Sequence, residues 1–125
     1  MIKCIIFDKD GTLINHDKLF IPWLLSLIDA LKHNFKINND IFKVLGFDKN
    51  NNSFKYNSVI PCGTNDDIKN TLLQYLISKN RKSKKKILDF LQIIFDNIHF
   101  DYEKLETHGN LLEIFTLLKK KNYKI

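Results

Sequence analysis

An acidic pair at the end of an apolar run constrains this chain more than any other feature of its sequence. The run Cys4-Ile5-Ile6 leads directly into the segment Phe7-Asp8-Lys9-Asp10-Gly11-Thr12-Leu13. A short unbroken run of β-branched and aromatic residues is typical of a buried parallel strand, and residues 3–7 fit that pattern. Open α/β sheets place their functional sites where such strands end. The segment therefore predicts an α/β fold with a site just after residue 7.

Strand alternation predicts how the two carboxylates are arranged. Side chains on a strand point to opposite faces in turn, so we expect Asp8 and Asp10 to project to one side and Lys9 to the other. Gly11 would allow the chain to turn sharply beneath them. The spacing of the two acids thus favours a shared site.

A structural turn and a calcium-binding loop are the alternatives for this acidic pair. An EF-hand loop beginning at Asp8 would need glycine in place of Leu13 and glutamate in place of Leu19, so the sequence excludes it. The structural turn stays open as the alternative. We favour a functional pair because the apolar run, the spacing of the acids and the following Gly-Thr-Leu agree.

Composition limits the class of protein. The 125 residues, 44% of them hydrophobic, suit one domain or one and a half and are enough to bury a core. The sequence has neither a membrane-spanning apolar stretch nor a signal peptide, so we expect a cytoplasmic protein without a membrane partner. Cys4 and Cys62 lack metal-ligand spacing, and we expect free thiols.

A net charge of +6 raises the question of a polyanionic partner. Much of it lies in residues 79–86 and 119–124, at the ends of apolar segments. Residues 79–86 lack interleaved aromatics and any recognised nucleic-acid-binding signature, so we interpret them as a solvated helix junction rather than a nucleic-acid site. A positive rim that attracts an anionic phosphorylated substrate is the sharper alternative.

Apolar residues at intervals of three and four predict five helices. They cover residues 20–35, with Pro22 in the first turn, residues 41–45 after an Asn38-Asn39-Asp40 cap, residues 64–79, residues 83–98, and residues 111–121 with Asn122 as the C-terminal cap. Residues 47–58 are expected to form a loop with one short extended pair, and residues 61–63 a turn. Residues 123–125 begin to resemble a second strand.

The order of these elements predicts an inserted helical lid. A parallel crossover normally uses one helix, whereas about ninety mostly helical residues precede the second strand here. We expect residues 1–16 to form a core strand and catalytic loop, residues 17–104 a helical cap, and residues 105–125 a core helix and the start of a second core strand.

The segment Phe7-Asp8-Lys9-Asp10-Gly11-Thr12-Leu13 resembles the first motif of the haloacid dehalogenase superfamily of phosphatases, which is Asp-x-Asp-Gly-Thr after an apolar strand. The helical insertion falls where that superfamily places its cap. The chain looks most similar to the phosphoglycolate phosphatase-like branch, with Leu45-Gly46-Phe47-Asp48 and Gly63-Thr64 as cap features. The resemblance implies a Rossmann-like core, here truncated, with an inserted α-helical cap.

Phosphate ester hydrolysis assigns a role to each residue of the motif. Asp8 can attack phosphorus and become a phosphoaspartate, while Asp10 can protonate the leaving oxygen and later activate water. Gly11 and Thr12 offer backbone N–H groups to phosphate oxygens. Mg²⁺ would bind a carboxylate oxygen of Asp8 and, as the resemblance implies, the backbone carbonyl of Asp10. The expected substrate is a small phosphorylated metabolite.

The resemblance also sets an expectation about activity. Members of the superfamily use a Ser or Thr after the second strand, a later Lys and a second acidic pair, and the sequence ends before these positions. We therefore expect an incomplete chain with little or no phosphatase activity. The alternative function is a non-catalytic helical binding module whose basic face meets an acidic partner or RNA.

Overall fold

Helices dominate the chain, and its only regular sheet within the described residues is a small antiparallel pair. The computed structural model describes residues 2–125. Its helices are α1 (His16–Lys32), α2 (Asp40–Val44), α3 (Val59–Cys62), α4 (Asn65–Lys79), α5 (Lys84–Asn97) and α6 (Leu111–Lys120), with a 3₁₀ turn at Tyr102–Lys104. The strands are β1 (Phe47–Asp48) and β2 (Ser53–Phe54). The fold is thus mixed, with much more helix than strand.

The chain divides into two compact units. One, the terminal unit, consists of residues 2–19 and 101–125, and the other, the helical unit, is Phe20–Phe100. The domain boundaries expected from sequence, at residues 16 and 104, stay a prediction.

The helical unit contains a core to which five helices, α1 to α5, contribute buried side chains. Long apolar side chains recur on one face of each helix and are removed from water, which is the main favourable contribution to folding. The largest fully buried side chains are Leu24, Leu27, Ile28, Leu31, Ile41, Leu45, Leu72, Leu76, Ile87 and Leu91. The predicted buried face of α4, formed by Ile68, Leu72, Tyr75 and Leu76, is confirmed.

Local capping explains where α4 and α5 begin. The hydroxyl of Thr64 accepts the backbone N–H of Asp67, and the Asp67 carboxylate accepts the backbone N–H of Thr64 at 2.8 Å. This reciprocal capping box satisfies two donors that a helix start leaves open. Ser83 caps α5 by accepting the N–H of Lys86. The helix starts predicted at Thr64 and Ser83 are confirmed.

The start of α1 differs from the prediction. Asn15 Oδ1 accepts the N–H of Lys18 at 3.3 Å, so α1 begins at His16 and Pro22 lies inside it rather than in its first turn. Asn is a preferred N-cap residue, and the acid in this first turn, Asp17, suits the helix dipole. Residues 15 and 16, which were expected to end the catalytic loop, are therefore the cap and the first residue of a helix.

The side-chain cap expected at Asn38-Asn39-Asp40 is also wrong. Asn39 makes no side-chain cap for α2. The Asp40 carboxylate instead accepts the hydroxyl of Tyr75 and pairs with Lys79 Nζ at 3.1 Å.

The expected turn at residues 61–63 is partly helical, because Pro61 and Cys62 belong to α3.

The extended pair predicted in residues 47–58 is confirmed as a hairpin whose two strands have two residues each. Phe47 pairs with Phe54, and Asp48 with Ser53. Gly46 precedes it with a φ of +79°, and a Cβ at that position would collide with the side chain of Ser58. Glycine is thus required here for both its backbone angle and its lack of a side chain.

The terminal unit corrects the expectation of a buried strand over residues 3–7. Cys4 is exposed and Ile6 is 91% exposed. In place of a regular strand there is an isolated parallel bridge between Cys4 and Lys124, in which Ile5 N–H donates to Lys124 O at 2.8 Å. An apolar run alone does not specify the second layer that would bury it.

The end of α6 follows the prediction. Asn110 caps its start, and Asn122 follows its end with a φ of +60°, the left-handed conformation that Asn tolerates. The ring of Phe115 on α6 lies edge-on to the ring of Phe7, with 5.6 Å between centroids.

Within residues 2–125 no helix has both the length and the apolar character required to cross a bilayer.

Candidate functional site

The acidic pair lies on a tight loop in the terminal unit. The N–H groups of Leu13 and Ile14 donate to Lys9 O at 2.9 and 3.1 Å, and Gly11 N–H donates to Ile14 O at 2.9 Å. Gly11 has a φ of +84°, which allows the chain to reverse. These backbone hydrogen bonds fix the conformation of residues 9–14.

A second segment of the terminal unit holds this loop. Asn15 N–H donates to Glu106 O at 2.8 Å, and His108 N–H donates to Leu13 O at 2.9 Å. Ile14 forms an antiparallel bridge with Thr107 and is 8% exposed. The loop is therefore supported from residues 106–108, although its own acidic side chains are exposed.

Asp8 is oriented by a neighbour within the motif. The Thr12 hydroxyl donates to Asp8 Oδ2 at 2.8 Å. The sequence assigned Thr12 only a role for its backbone N–H and did not predict this side-chain contact. The contact forms because the loop folds residue 12 back onto residue 8. Of the two backbone donors expected to face phosphate, Gly11 N–H is occupied by Ile14 O. Thr12 N–H donates to no atom of residues 2–125.

Asp10 is paired with the residue between the two acids. Lys9 Nζ lies 2.6 Å from Asp10 Oδ1, and the two side chains are 66% and 39% exposed. The expectation that Lys9 points away is therefore wrong for its ammonium group. A long flexible stem allows this group to reach a neighbouring acid despite strand alternation. Because both groups meet water, the pair contributes little to stability.

The oxygen atoms that this loop offers are of the type that magnesium prefers, but they are few. A carboxylate oxygen of Asp8 and the backbone carbonyl oxygen of Asp10 are hard oxygen ligands, and Mg²⁺ typically combines one or two carboxylates with waters and substrate phosphate. Across residues 2–125, no group of three or more His, Cys, Asp or Glu side chains is placed to hold a metal ion. A magnesium ion bound at this loop would have Asp8 and Asp10 as its protein ligands, with water or phosphate completing its shell.

Two titratable residues with shifted pKa values, Asp40 and Tyr75, lie in the helical unit. Asp40 accepts the Tyr75 hydroxyl, and this hydrogen bond, together with Lys79, holds the pKa of the carboxyl below its ordinary value despite some desolvation. Burial and the same carboxylate raise the pKa of Tyr75. These groups belong to the helical unit and stabilise the packing of α2 on α4.

A shallow groove of about 320 Å³ lies beside α2 and the hairpin. Three lysines line it, Lys43, Lys49 and Lys55, and Lys49 Nζ lies 4.6 Å from the centre of the Phe42 ring. The Asp48 carboxylate in this groove accepts the backbone N–H groups of Asn50 and Asn51, which lower its pKa. Its charge is therefore already engaged within the turn.

Comparison with known proteins gives no match for this chain among family models, curated proteins or solved structures.

Proposed function

We propose that residues 8–13 form the phosphoryl site of a haloacid dehalogenase-type phosphatase that acts on a small phosphomonoester. The observation that carries the proposal is the motif itself, with two exposed acids on a hydrogen-bonded loop and the Thr12 hydroxyl fixed on Asp8 at 2.8 Å. A nucleophile of this kind needs both access to substrate and a held orientation.

The reaction would proceed through Asp8 in two displacements. A carboxylate oxygen of Asp8 forms a bond to phosphorus while the bond from phosphorus to the leaving oxygen breaks, and Asp10 gives its proton to that oxygen. Water then forms a bond to phosphorus while Asp10 accepts a proton from it, the bond from phosphorus to the Asp8 oxygen breaks, and inorganic phosphate leaves. Mg²⁺, when bound, would offset negative charge on the phosphoryl oxygens.

Hydrogen bonds within the loop assign the supporting roles. Gly11 N–H already donates to Ile14 O, so Thr12 N–H would be the backbone donor that contacts the phosphate. The role of Gly11 would be to form the turn. Lys9, at 2.6 Å from Asp10, would reposition its ammonium group towards the anionic substrate.

The wider architecture follows from the same proposal. Residues 3–7 and 123–125, which are joined by the isolated parallel bridge between Cys4 and Lys124, would correspond to the positions of the first two strands of a Rossmann-like core. The helical unit would be the inserted cap, as in the phosphoglycolate phosphatase-like branch. A cytoplasmic location is part of the same proposal, since a reducing compartment would keep the thiols of Cys4 and Cys62 free.

Binding of beryllium fluoride tests the site without requiring turnover. This phosphoryl mimic bonds to an acidic nucleophile, so ¹⁹F NMR of the 125-residue chain should show a bound signal that requires Mg²⁺. Asp8→Asn should abolish the signal because the amide is not a nucleophile.

Glu103→Gln is the matched control, since Glu103 is an exposed acid of the same terminal unit outside the loop. The control should retain the signal. A bound signal that persists in Asp8→Asn, or its absence from the wild-type chain, would exclude Asp8 as a phosphoryl acceptor.

A further inference from the structure

The positive charge of the chain is concentrated in the helical unit. Residues 20–100 contain twelve of the twenty Lys and Arg residues but only seven of the fourteen Asp and Glu residues. Much of the excess lies at one end of the unit, where α1 ends, α4 ends and α5 begins. We call this surface the basic end, and it comprises Lys32, Lys36, Lys79, Arg81, Lys82, Lys84, Lys85 and Lys86.

Hydrogen bonds join two distant segments to make this surface. Lys36 N–H donates to Asn80 Oδ1 at 2.8 Å, and Asn80 Nδ2 donates back to Lys36 O at 3.2 Å. Lys82 Nζ donates to Asn34 O at 2.7 Å. The residues that follow α1 are therefore fixed beside the loop between α4 and α5. The sequence run 79–86 alone understates the charge collected there.

Two of these cations have structural roles, and the others are available to a ligand. Lys79 pairs with Asp40, and Lys82 lies over the Phe35 ring at 4.6 Å while it binds Asn34. The remaining members are exposed, and none forms an ion pair within residues 2–125; they are Lys32, Lys36, Arg81, Lys84, Lys85 and Lys86. Such a concentration of unpaired charge attracts polyanions.

The start of α5 adds to the positive potential. Its first turn holds three lysines and no acid, although the N-terminal end of a helix dipole already carries partial positive charge. Placing these lysines here lowers the stability of the helix. A polyanion bound at this end would remove that repulsion.

From this arrangement we propose that the basic end binds the phosphate backbone of nucleic acid without sequence preference. Lysine is depleted in protein–protein interfaces but is a common phosphate ligand, which favours nucleic acid over an acidic protein. Membrane insertion is disfavoured because the apolar face of α5, with Ile87, Leu91 and Ile94, is already buried in the unit.

The aromatic rings nearby explain why the contact is to backbone. Phe35 is 7% exposed and lies edge-on to Phe90, with 5.1 Å between ring centroids. A packed ring is not available to stack on bases, and base stacking is how single-strand binders engage aromatic side chains. The sequence interpretation of a solvated junction rested on this shortage of aromatics, which limits base readout but not phosphate binding.

Fluorescence anisotropy with a labelled oligouridylate and the 125-residue chain tests the proposal. We expect a dissociation constant on the order of 10 µM at physiological salt, tightening steeply as salt is reduced. Substituting Lys84, Lys85 and Lys86 together by Gln should remove three phosphate contacts. The negative slope of log K against log salt should then become shallower by about 2, because each contact to a single strand contributes about 0.7 to its magnitude.

A matched triple variant separates location from total charge. Changing Lys119, Lys120 and Lys121 to Gln removes the same charge from the terminal unit and should leave the salt slope unchanged. Circular dichroism should show both variants folded, since all six lysines are exposed. The proposal does not depend on the phosphoryl site, so Asp8→Asn should bind the oligouridylate normally.

Four results would overturn the proposal. They are no binding at low salt, equal loss in the two triple variants, equal competition by polyglutamate at matched charge, and binding to vesicles containing phosphatidylserine in preference to the oligouridylate. The third would indicate an acidic protein partner and the fourth a membrane surface. Retained, location-dependent binding of the oligouridylate would support the phosphate-backbone assignment.

Discussion

Asp67 is a single residue whose charge stabilises the start of a helix. The backbone N–H of Thr64, and then its hydroxyl, lower the pKa of this carboxyl below its ordinary value. A lowered pKa in the folded state means that the stabilisation is fully present above the ordinary carboxyl pKa. It is lost as the pH falls through the lowered value.

We predict that Asp67→Asn destabilises the protein near neutral pH, and that the difference from wild type narrows as the pH falls from about 5 to about 2. Urea unfolding at a series of pH values measures it. Asp66→Asn is the control, because Asp66 lies in the same first turn but faces Lys69 at 2.8 Å instead of the cap. If both variants follow the same pH profile, the effect belongs to the helix dipole and not to the capping box.

Other residues show why local reasoning fails. Thr64 and Asp67 are three positions apart, so their pairing is visible in the sequence. Asp40 lies beside Asn39 and looks like a cap, yet its carboxylate is engaged by Tyr75, thirty-five positions away. Lys9 likewise reaches Asp10 through a flexible side chain. The positions of the motif residues could be predicted, but their hydrogen-bond partners depend on how the loop folds.

At the scale of elements, α5 combines a good cap with an unfavourable first turn. Ser83 accepts the N–H of Lys86, but Lys86 cannot return a hydrogen bond to the Ser83 backbone. A glutamate at residue 86 would complete a capping box and reverse the charge facing the dipole.

We predict that Lys86→Glu stabilises the chain by roughly 0.5 to 1.5 kcal/mol, measured as an increase in the urea midpoint. Lys86→Gln separates the two causes, since it supplies the hydrogen bond without the negative charge. Lys86→Glu should also weaken oligouridylate binding. A variant that is no more stable than wild type would show that the positive charge in the first turn of α5 does not destabilise the helix.

Periodicity predicted most of the helices, because each buries its own face over several turns. The residues of α4 and α5 that recur at three and four positions are those in the core. The start of α1 was missed because His16 and Asp17 carry no apolar signal and only Asn15 marks the cap. Residues 3–7 were expected to be buried, but burial depends on neighbouring layers that a short run does not encode.

Across the whole molecule, burial is unevenly distributed between the units. The hydrophobic core cluster lies within residues 20–100, whereas α6 contains no buried residue. Regions with few buried apolar contacts open more readily than a packed core.

We therefore predict that backbone amides in the middle of α4 and α5 exchange with deuterium at least about a hundredfold more slowly than those of α6 and residues 3–7. Hydrogen exchange followed by NMR on the intact chain measures this difference. Uniform protection would show that the chain opens only as one cooperative unit.

The bridge between Cys4 and Lys124 has a consequence for the order in which the molecule folds. Closing so long a loop in an unfolded chain costs about 4 kcal/mol of entropy from its length alone. Prior folding of residues 20–100 would shorten the effective loop and lower that cost. Pairing of the two strand-like segments should therefore follow collapse of the helices. The contacts of residues 106–108 with residues 13–15 also join distant parts of the chain, so the loop that carries Asp8 and Asp10 should acquire its support late for the same reason.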